Sequence, residues 1–389
     1  MGGNVANRLL YICSDFYPLN TGYSNAFYNF LDILDDYEVD ILTTTQNAKL
    51  KRESENLRIY NSATTDKLSS LSYIYNSFSL YKNYKRLVKQ NNYNLIFIET
   101  FDDALFLSLI PAVNYDKIII RIHSTSETEY TYYFPGKKNF LNKILQKYII
   151  GPKVINICST NSYHNEFMKK KMFSGNLFKI CQKNFFTIPN TMELPSLPET
   201  VNEFNQKIKV VSLGRLNKEG YYQKGIGDLI NAIFLLGDNF TNFAECTIIG
   251  DGEYFDYCEK MIFKFGLDTS VKILRKVEHS ELVHTLTNAD VVVLPSRFEG
   301  MSMFALEALY TRNICLFSDT GGLVDMIPNR QFTYAPQNIE ALANVIQNTI
   351  KLSSKEIETE KSRAFNKALE FSQKSIKAKF DKIYKILAS

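Results

Sequence analysis

Short runs of β-branched and other apolar residues, each followed by a longer stretch with helical spacing, recur along the whole chain of 389 residues. This alternation predicts parallel sheets whose strands are joined by crossover helices. In the first half the expected strands are 8–14, 39–44, 94–99, 117–123, 154–160 and 185–189. In the second half they are 208–214, 246–250, 271–277, 290–295 and 314–319. Runs such as 117–123 (KIIIRIH) and 290–295 (DVVVLP) are nearly continuous in apolar residues, which suits strands covered by helices on both faces. The length exceeds one ordinary core and suits two domains of under about 200 residues each.

The fold class predicted is therefore α/β, with two Rossmann-like doubly wound domains over 1–192 and 207–370. The segment 193–206 has two prolines and few apolar residues and reads as the linker. In 371–389 the apolar residues at 376, 380, 383, 384 and 387 fall on one helical face, so a closing helix packed on a domain surface is expected.

With 45% hydrophobic and 22% charged residues the composition is that of a soluble globular protein. No apolar run reaches the roughly 18 residues needed to span a bilayer. The start, Met1-Gly2-Gly3-Asn4, lacks the pattern of a signal peptide. Six cysteines, at 13, 158, 181, 246, 258 and 315, form no CxxC pair, and four of them (Cys13, Cys158, Cys246, Cys315) lie inside expected strands. They read as reduced core cysteines of a cytoplasmic protein.

Ligands of doubly wound sheets bind outside the carboxyl ends of the strands. The chemistry-bearing residues of this chain concentrate there. The segment 295–309 (PSRFEGMSMFALEAL) runs from a strand end through a polar turn into a helix beginning near Ser302. Glu299 lies in the turn and Glu307 in the helix. Gly300 permits close backbone approach, and the amides around Gly300, Met301 and Ser302 would present an anion site at the helix start. A carboxylate such as Glu307 can accept both hydroxyls of a ribose. After strand 208–214, Gly214-Arg215-Leu216 is followed by Lys224-Gly225. An Arg and a Lys near a helix start suit the two phosphates of a nucleoside diphosphate.

The segment 295–309 resembles the E-x7-E signature of retaining glycosyltransferases of the two-domain GT-B fold, in the large family 4 typified by bacterial cell-surface sugar transferases. The resemblance implies two domains facing across a cleft, the first on the acceptor side and the second binding a nucleotide sugar. It implies that Glu299 lies against the donor sugar and Glu307 holds the nucleotide ribose. Gly214-Arg215-Leu216 with Lys224-Gly225 is similar to the family's G-R-L…K-G, whose Arg and Lys stabilise the leaving diphosphate; here an insertion-like 219–222 separates them. Gly250-Asp251-Gly252 resembles the family's G-x-G turn, and Thr320-Gly321-Gly322 its loop near the donor phosphates and sugar. Ile188-Pro189-Asn190 resembles an I-P-N-G segment, with Thr191 replacing Gly. Gly22 stands where the family has a glycine-rich loop, often with two glycines. His123, at a strand's carboxyl end, matches a histidine that contacts the donor sugar. His164, His279 and His284 read as structural or solvated.

By the same resemblance the reaction is a hexosyl- or N-acetylhexosaminyl-type transfer with retention, from a UDP-linked donor to a cell-envelope glycan or lipid-linked acceptor. No Asp-x-Asp occurs in the chain. Arg215, Lys224 and helix ends take the place of that metal clamp, so no metal and no cofactor is expected. Two other readings are a sugar-nucleotide epimerase of the same fold, which would need more acid/base groups, and a non-catalytic partner subunit, which would be expected to lose one of the four charged residues. Synthesis of a storage polysaccharide or free disaccharide stays open.

Residues 137–183 hold ten lysines and one acid, Glu166. Within it, 139–150 is apolar at 140, 141, 144, 145, 149 and 150. An amphipathic helix flanked by Lys137, Lys138, Lys143 and Lys147 suits an acidic membrane surface on the cytoplasmic side or an anionic acceptor. Nucleic acid is not expected, because no reading motif accompanies the patch.

Overall fold

The computed structural model describes residues 7–19, 21–52, 54–62, 70–109, 115–124, 144–173, 183–193 and 207–388. The chain divides into two compact units. One comprises Met1–Glu193 with Ser372–Ser389, and the other Leu194–Phe371. Of the expected linker, only Glu193 lies within the described residues.

The first unit is built on a seven-stranded sheet. Its strands are β1 Arg8–Cys13, β2 Glu38–Thr43, β3 Leu57–Asn61, β4 Leu95–Ile98, β5 Ile118–Ile122, β6 Asn156–Ser159 and β7 Asn184–Thr187. Every pairing is parallel, in the order β3-β2-β1-β4-β5-β6-β7. β4 and β5 are buried along their whole length. Leu10, Ile12, Ile96, Ile98, Ile120 and Ile122 share one core with Leu80, Tyr84 and Leu87 of the helix Ser70–Gln90. Burying each such side chain stabilises by about 1.5–3 kcal/mol.

The helix Gln373–Ala388 belongs to this unit. Ile376, Phe380, Ile383 and Tyr384 form its buried stripe. Phe380 meets the rings of Phe30 and Tyr37 edge-on at 5.6 and 5.5 Å. Tyr37 donates to Asp381 at 2.8 Å, and Lys377 pairs with Asp36 at 2.8 Å. The apolar stripe expected from sequence is the face that packs.

The second unit has six parallel strands: β8 Ile208–Leu213, β9 Ala244–Ile249, β10 Val271–Leu274, β11 Val291–Leu294, β12 Ile314–Ser318 and β13 Thr333–Tyr334, ordered β10-β9-β8-β11-β12-β13. The helix Ile226–Leu236 buries Ile226, Leu229, Ile230 and Ile233 against Val210, Ile248, Val293 and Leu316. In both sheets the order reverses beside the first strand, between β1 and β4 and between β8 and β11. The loops leaving these neighbouring strands diverge to opposite faces and open a crevice there. In the second unit those two loops carry Arg215 and Glu299.

All eleven expected strands are present, shifted by up to three residues at their ends. The sequence reading missed two. β3 has no fully buried residue, so Arg58 and its neighbours carry no core signal, and β13 is two residues long. Five cysteines, including Cys258 on a helix, are buried and free; Cys181 lies outside the described residues. Among the described residues no helix is long and apolar enough to cross a membrane.

Candidate active site

At the switch point of the second unit the chain leaves β8 through Gly214 and Arg215 and enters the short helix Lys218–Lys224, capped by Asn217, whose side chain accepts from the Gly220 amide at 3.0 Å. That helix ends at Gly225 in the left-handed region, φ 62°. A Cβ at Gly225 would stand 2.1 Å from the Pro295 carbonyl oxygen. Only glycine lets these segments approach so closely, and the approach brings Lys224 Nζ onto Glu299 Oε1. Ser296 Oγ donates to the same oxygen at 2.9 Å. Glu299 is buried, 5% exposed. Among the described residues both contacts fall on Oε1, so that Oε2 can accept from a ligand hydroxyl.

The loop 295–300 is pinned on both sides. Arg297 makes a bidentate pair with Asp228, at 2.9 and 3.2 Å, and its amide donates to the Gln223 carbonyl at 2.7 Å. The Arg297 guanidinium also lies 4.2 Å over the Tyr222 ring. On the other side the Gly322 amide donates to the Glu299 carbonyl at 2.9 Å, and Thr320 Oγ1 to the Arg297 carbonyl at 3.1 Å. Gly321, at φ 50°, would place a Cβ 2.0 Å from the Glu299 carbonyl oxygen. Gly321 and Gly322 therefore support the loop that carries Glu299.

Gly300 and Met301 lead into Ser302, the N-cap of the helix Met303–Tyr310, whose Oγ accepts from the Ala305 amide at 3.3 Å. The first-turn amides give this end partial positive charge. Glu307 lies inside the helix, almost buried, and Oε1 meets His279 Nε2 at 2.9 Å. His279 was not distinguished by sequence, because its partner is 28 residues away. Gly214 packs on the stem of Lys224, with a built Cβ 2.8 Å from that side chain's Cβ. Gly250 approaches the Gly214 carbonyl in the same way, at 2.1 Å. The structure thus brings Gly214, Arg215, Lys224, Glu299, Gly300, Met301, Ser302, Glu307, Gly321 and Gly322 to one end of this sheet.

The first unit carries a separate group of residues. His123 follows β5, nearly buried, with Nε2 2.7 Å from Oε2 of Glu99. The other Glu99 oxygen accepts from Arg121 Nη1 at 3.1 Å and from the Tyr11 hydroxyl. Burial raises the Glu99 pKa, but Arg121 and the hydrogen bonds from His123 and Tyr11 outweigh it and hold the carboxyl below its ordinary value. Burial pushes His123 down, against the opposing pull of Glu99. Arg121 also donates to the Pro189 carbonyl at 3.0 Å and to Asn190 Oδ1 at 2.8 Å, which anchors the segment read as the I-P-N turn. Gly22 is the first residue of the helix Gly22–Leu31, behind the N-cap Thr21, with open space where a Cβ would stand. Asp103, at 2% exposure, lies beyond β4; burial raises its carboxyl to about 7 despite hydrogen bonding with Ser14 and Thr100.

Of the lysine-rich region, Lys137, Lys138 and Lys143 lie outside the described residues. Within the described residues 144–173, Leu145–Ile150 forms a short π-helical segment in which Tyr148 and Ile149 are exposed and Ile150 is buried.

Two parallel sheets with a closing helix, a carboxylate and two cations at a switch point, and a second carboxylate in the following helix make a doubly wound α/β protein with charged groups where such sheets take their ligands. Residues 196–368 match the family described as Glycosyl transferases group 1. The chain is 33% identical over 137 residues to an uncharacterized glycosyltransferase of Methanocaldococcus jannaschii, a match covering 34% of this chain and 33% of that relative. It thus spans about a third of that relative's length. Among solved structures it resembles sucrose-phosphate synthase from Thermosynechococcus elongatus, with TM-score 0.76 and 18% identity over 98% of this chain and 99% of that one. It also resembles HepE of Anabaena in complex with UDP and glucose, with TM-score 0.70 and 15% identity over 97% and 99%. The fold is GT-B.

Proposed function

We propose that this protein is a retaining glycosyltransferase of family 4 type, which moves a hexosyl or N-acetylhexosaminyl group from a nucleoside-diphosphate sugar, UDP-linked, to a hydroxyl of a glycan or lipid-linked acceptor. The observation that carries the reading is the meeting of Lys224 with Glu299 at the switch point of the second unit, beside Arg215. Two cations and a helix N-terminus suit a diphosphate. A carboxylate whose second oxygen has no hydrogen-bond partner among the described residues suits a sugar hydroxyl. The UDP and glucose in the HepE structure support a ligand of this class.

In this reading Arg215 and Lys224 take the charge of the departing diphosphate, Glu299 orients the sugar, Glu307 accepts from the ribose hydroxyls, and His123 contacts the donor sugar. The bond from the anomeric carbon to the phosphate oxygen breaks, and its electron pair leaves with the diphosphate. The acceptor oxygen attacks the same face, and its proton passes to the phosphate oxygen. Stabilisation of developing charge supplies most of the acceleration. No metal is required, because the cations do the neutralising. The lysine-rich region is proposed to rest on an acidic membrane surface. The test of the central reading is thermal stabilisation by a panel of nucleotide sugars; absence of stabilisation by any of them would remove it.

A further inference from the structure

Gln223 immediately precedes Lys224, and neither of its side-chain contacts is to a sequence neighbour. Its Oε1 accepts from Arg215 Nη2 at 3.1 Å, and its Nε2 donates to the Phe298 carbonyl at 3.1 Å. A carbonyl only accepts and a guanidinium only donates, so these partners fix which end of the amide faces which. The Gln223 main-chain carbonyl meanwhile accepts the Arg297 amide at 2.7 Å. One residue therefore ties the Arg215 side chain to the loop that carries Glu299. Among the described residues Gln223 is the only hydrogen-bond partner of the Arg215 guanidinium, which is otherwise exposed.

An exposed arginine loses side-chain entropy when it is brought onto a ligand. A hydrogen bond that holds its planar fork beforehand removes part of that cost. The chemistry of the tether also matters. A carboxylate would orient the guanidinium but cancel its charge, whereas an amide oxygen orients it and leaves the charge for a ligand.

We propose that Gln223 is a positioning residue that holds Arg215 in register with the Glu299 loop, so that the donor diphosphate meets a fixed and fully charged cation. The proposal rests on the reading of Arg215 as a diphosphate ligand. The experiment is calorimetry of the whole protein with UDP, ADP and GDP and with the matching nucleosides, followed by variants measured on the tightest diphosphate. Q223A and Q223E are each expected to weaken the diphosphate roughly five- to tenfold, the scale of one ordinary hydrogen bond in net terms. Binding of the nucleoside should not change. In an R215A background Q223A should have no further effect, because it acts through that arginine. If Q223A melts early, Q223E, which keeps the stem and an accepting oxygen, carries the same comparison. Wild-type affinity in either variant while R215A binds weakly overturns the proposal. So does an equal loss for nucleoside and diphosphate, or an undiminished Q223A effect without Arg215. If no diphosphate binds the wild type, or R215A binds as tightly as wild type, it is the donor-site reading that fails, and the inference with it.

Discussion

Lys224 Nζ rests on Oε1 of Glu299, 75 residues away in sequence, in a pocket where the carboxylate side chain is 6% exposed. The two groups hold each other in place, and Gly225 makes the approach possible. Lys224→Ala is expected to leave Glu299 without its cation, at a stability cost of about 3 kcal/mol. Turnover should fall about a hundredfold or more, while donor KM changes less, because the leaving charge is greatest in the transition state. Steady-state kinetics beside a melting curve check this. Wild-type turnover in a folded variant would show that Lys224 does not serve the leaving group.

Glu307 offers its carboxylate from the helix Met303–Tyr310 with one oxygen on His279. Glu307→Ala should weaken donor binding by roughly 1–3 kcal/mol, the cost of leaving polar ligand groups unpaired. His279→Ala should cost less, since it removes only the partner that steadies the carboxylate. Titration calorimetry reads both. Unchanged affinity in folded Glu307→Ala would end the ribose assignment.

Asp103 has a carboxyl raised to about 7 by burial. The folded state therefore holds this proton over a range where the unfolded chain, near pH 4, has released it. Stability from this group is full below about pH 4 and is lost as pH rises towards 7. Asp103→Asn is neutral at every pH, so its stability relative to wild type should rise by on the order of 2 kcal/mol between about pH 5 and pH 7. Denaturant unfolding of both proteins at several pH values tests this; parallel curves would mean that Asp103 does not titrate there.

Lys147 and the exposed Tyr148 and Ile149 lie together in the described part of the lysine-rich region. Each lysine near an acidic bilayer contributes about 1 kcal/mol. The wild-type protein should co-sediment with vesicles containing acidic lipid at low salt and less at high salt. Replacing Lys137, Lys138, Lys143 and Lys147 with Gln should weaken this while donor hydrolysis continues. No preference for acidic vesicles at low salt would rule out the membrane surface.

The sheets were legible because strands such as β5 are buried along their whole length and so run apolar without interruption. The edge strand β3 was not, since its half-exposed residues carry no such signal. In the site, Glu299, Glu307, Arg215 and Lys224 stood out by their place after strands and by the resemblance of their segments to the E-x7-E and G-R-L…K-G patterns. Gln223, Ser296 and the Arg297–Asp228 pair did not, because loop geometry, not sequence spacing, gives their contacts meaning. Glu99 could have been found. An acid closing one apolar strand and Arg121 inside the next cannot both be buried without meeting, and they do, at 3.1 Å.

The most direct test is release of nucleoside diphosphate from a panel of nucleotide sugars, measured with EDTA present, for the wild type and for a variant lacking both Arg215 and Lys224. The account predicts that the wild type turns over at least one donor in EDTA, and that the double variant does so more than about a hundredfold more slowly. No turnover of any donor by the wild type, turnover that needs added magnesium, or a double variant at the wild-type rate would contradict it.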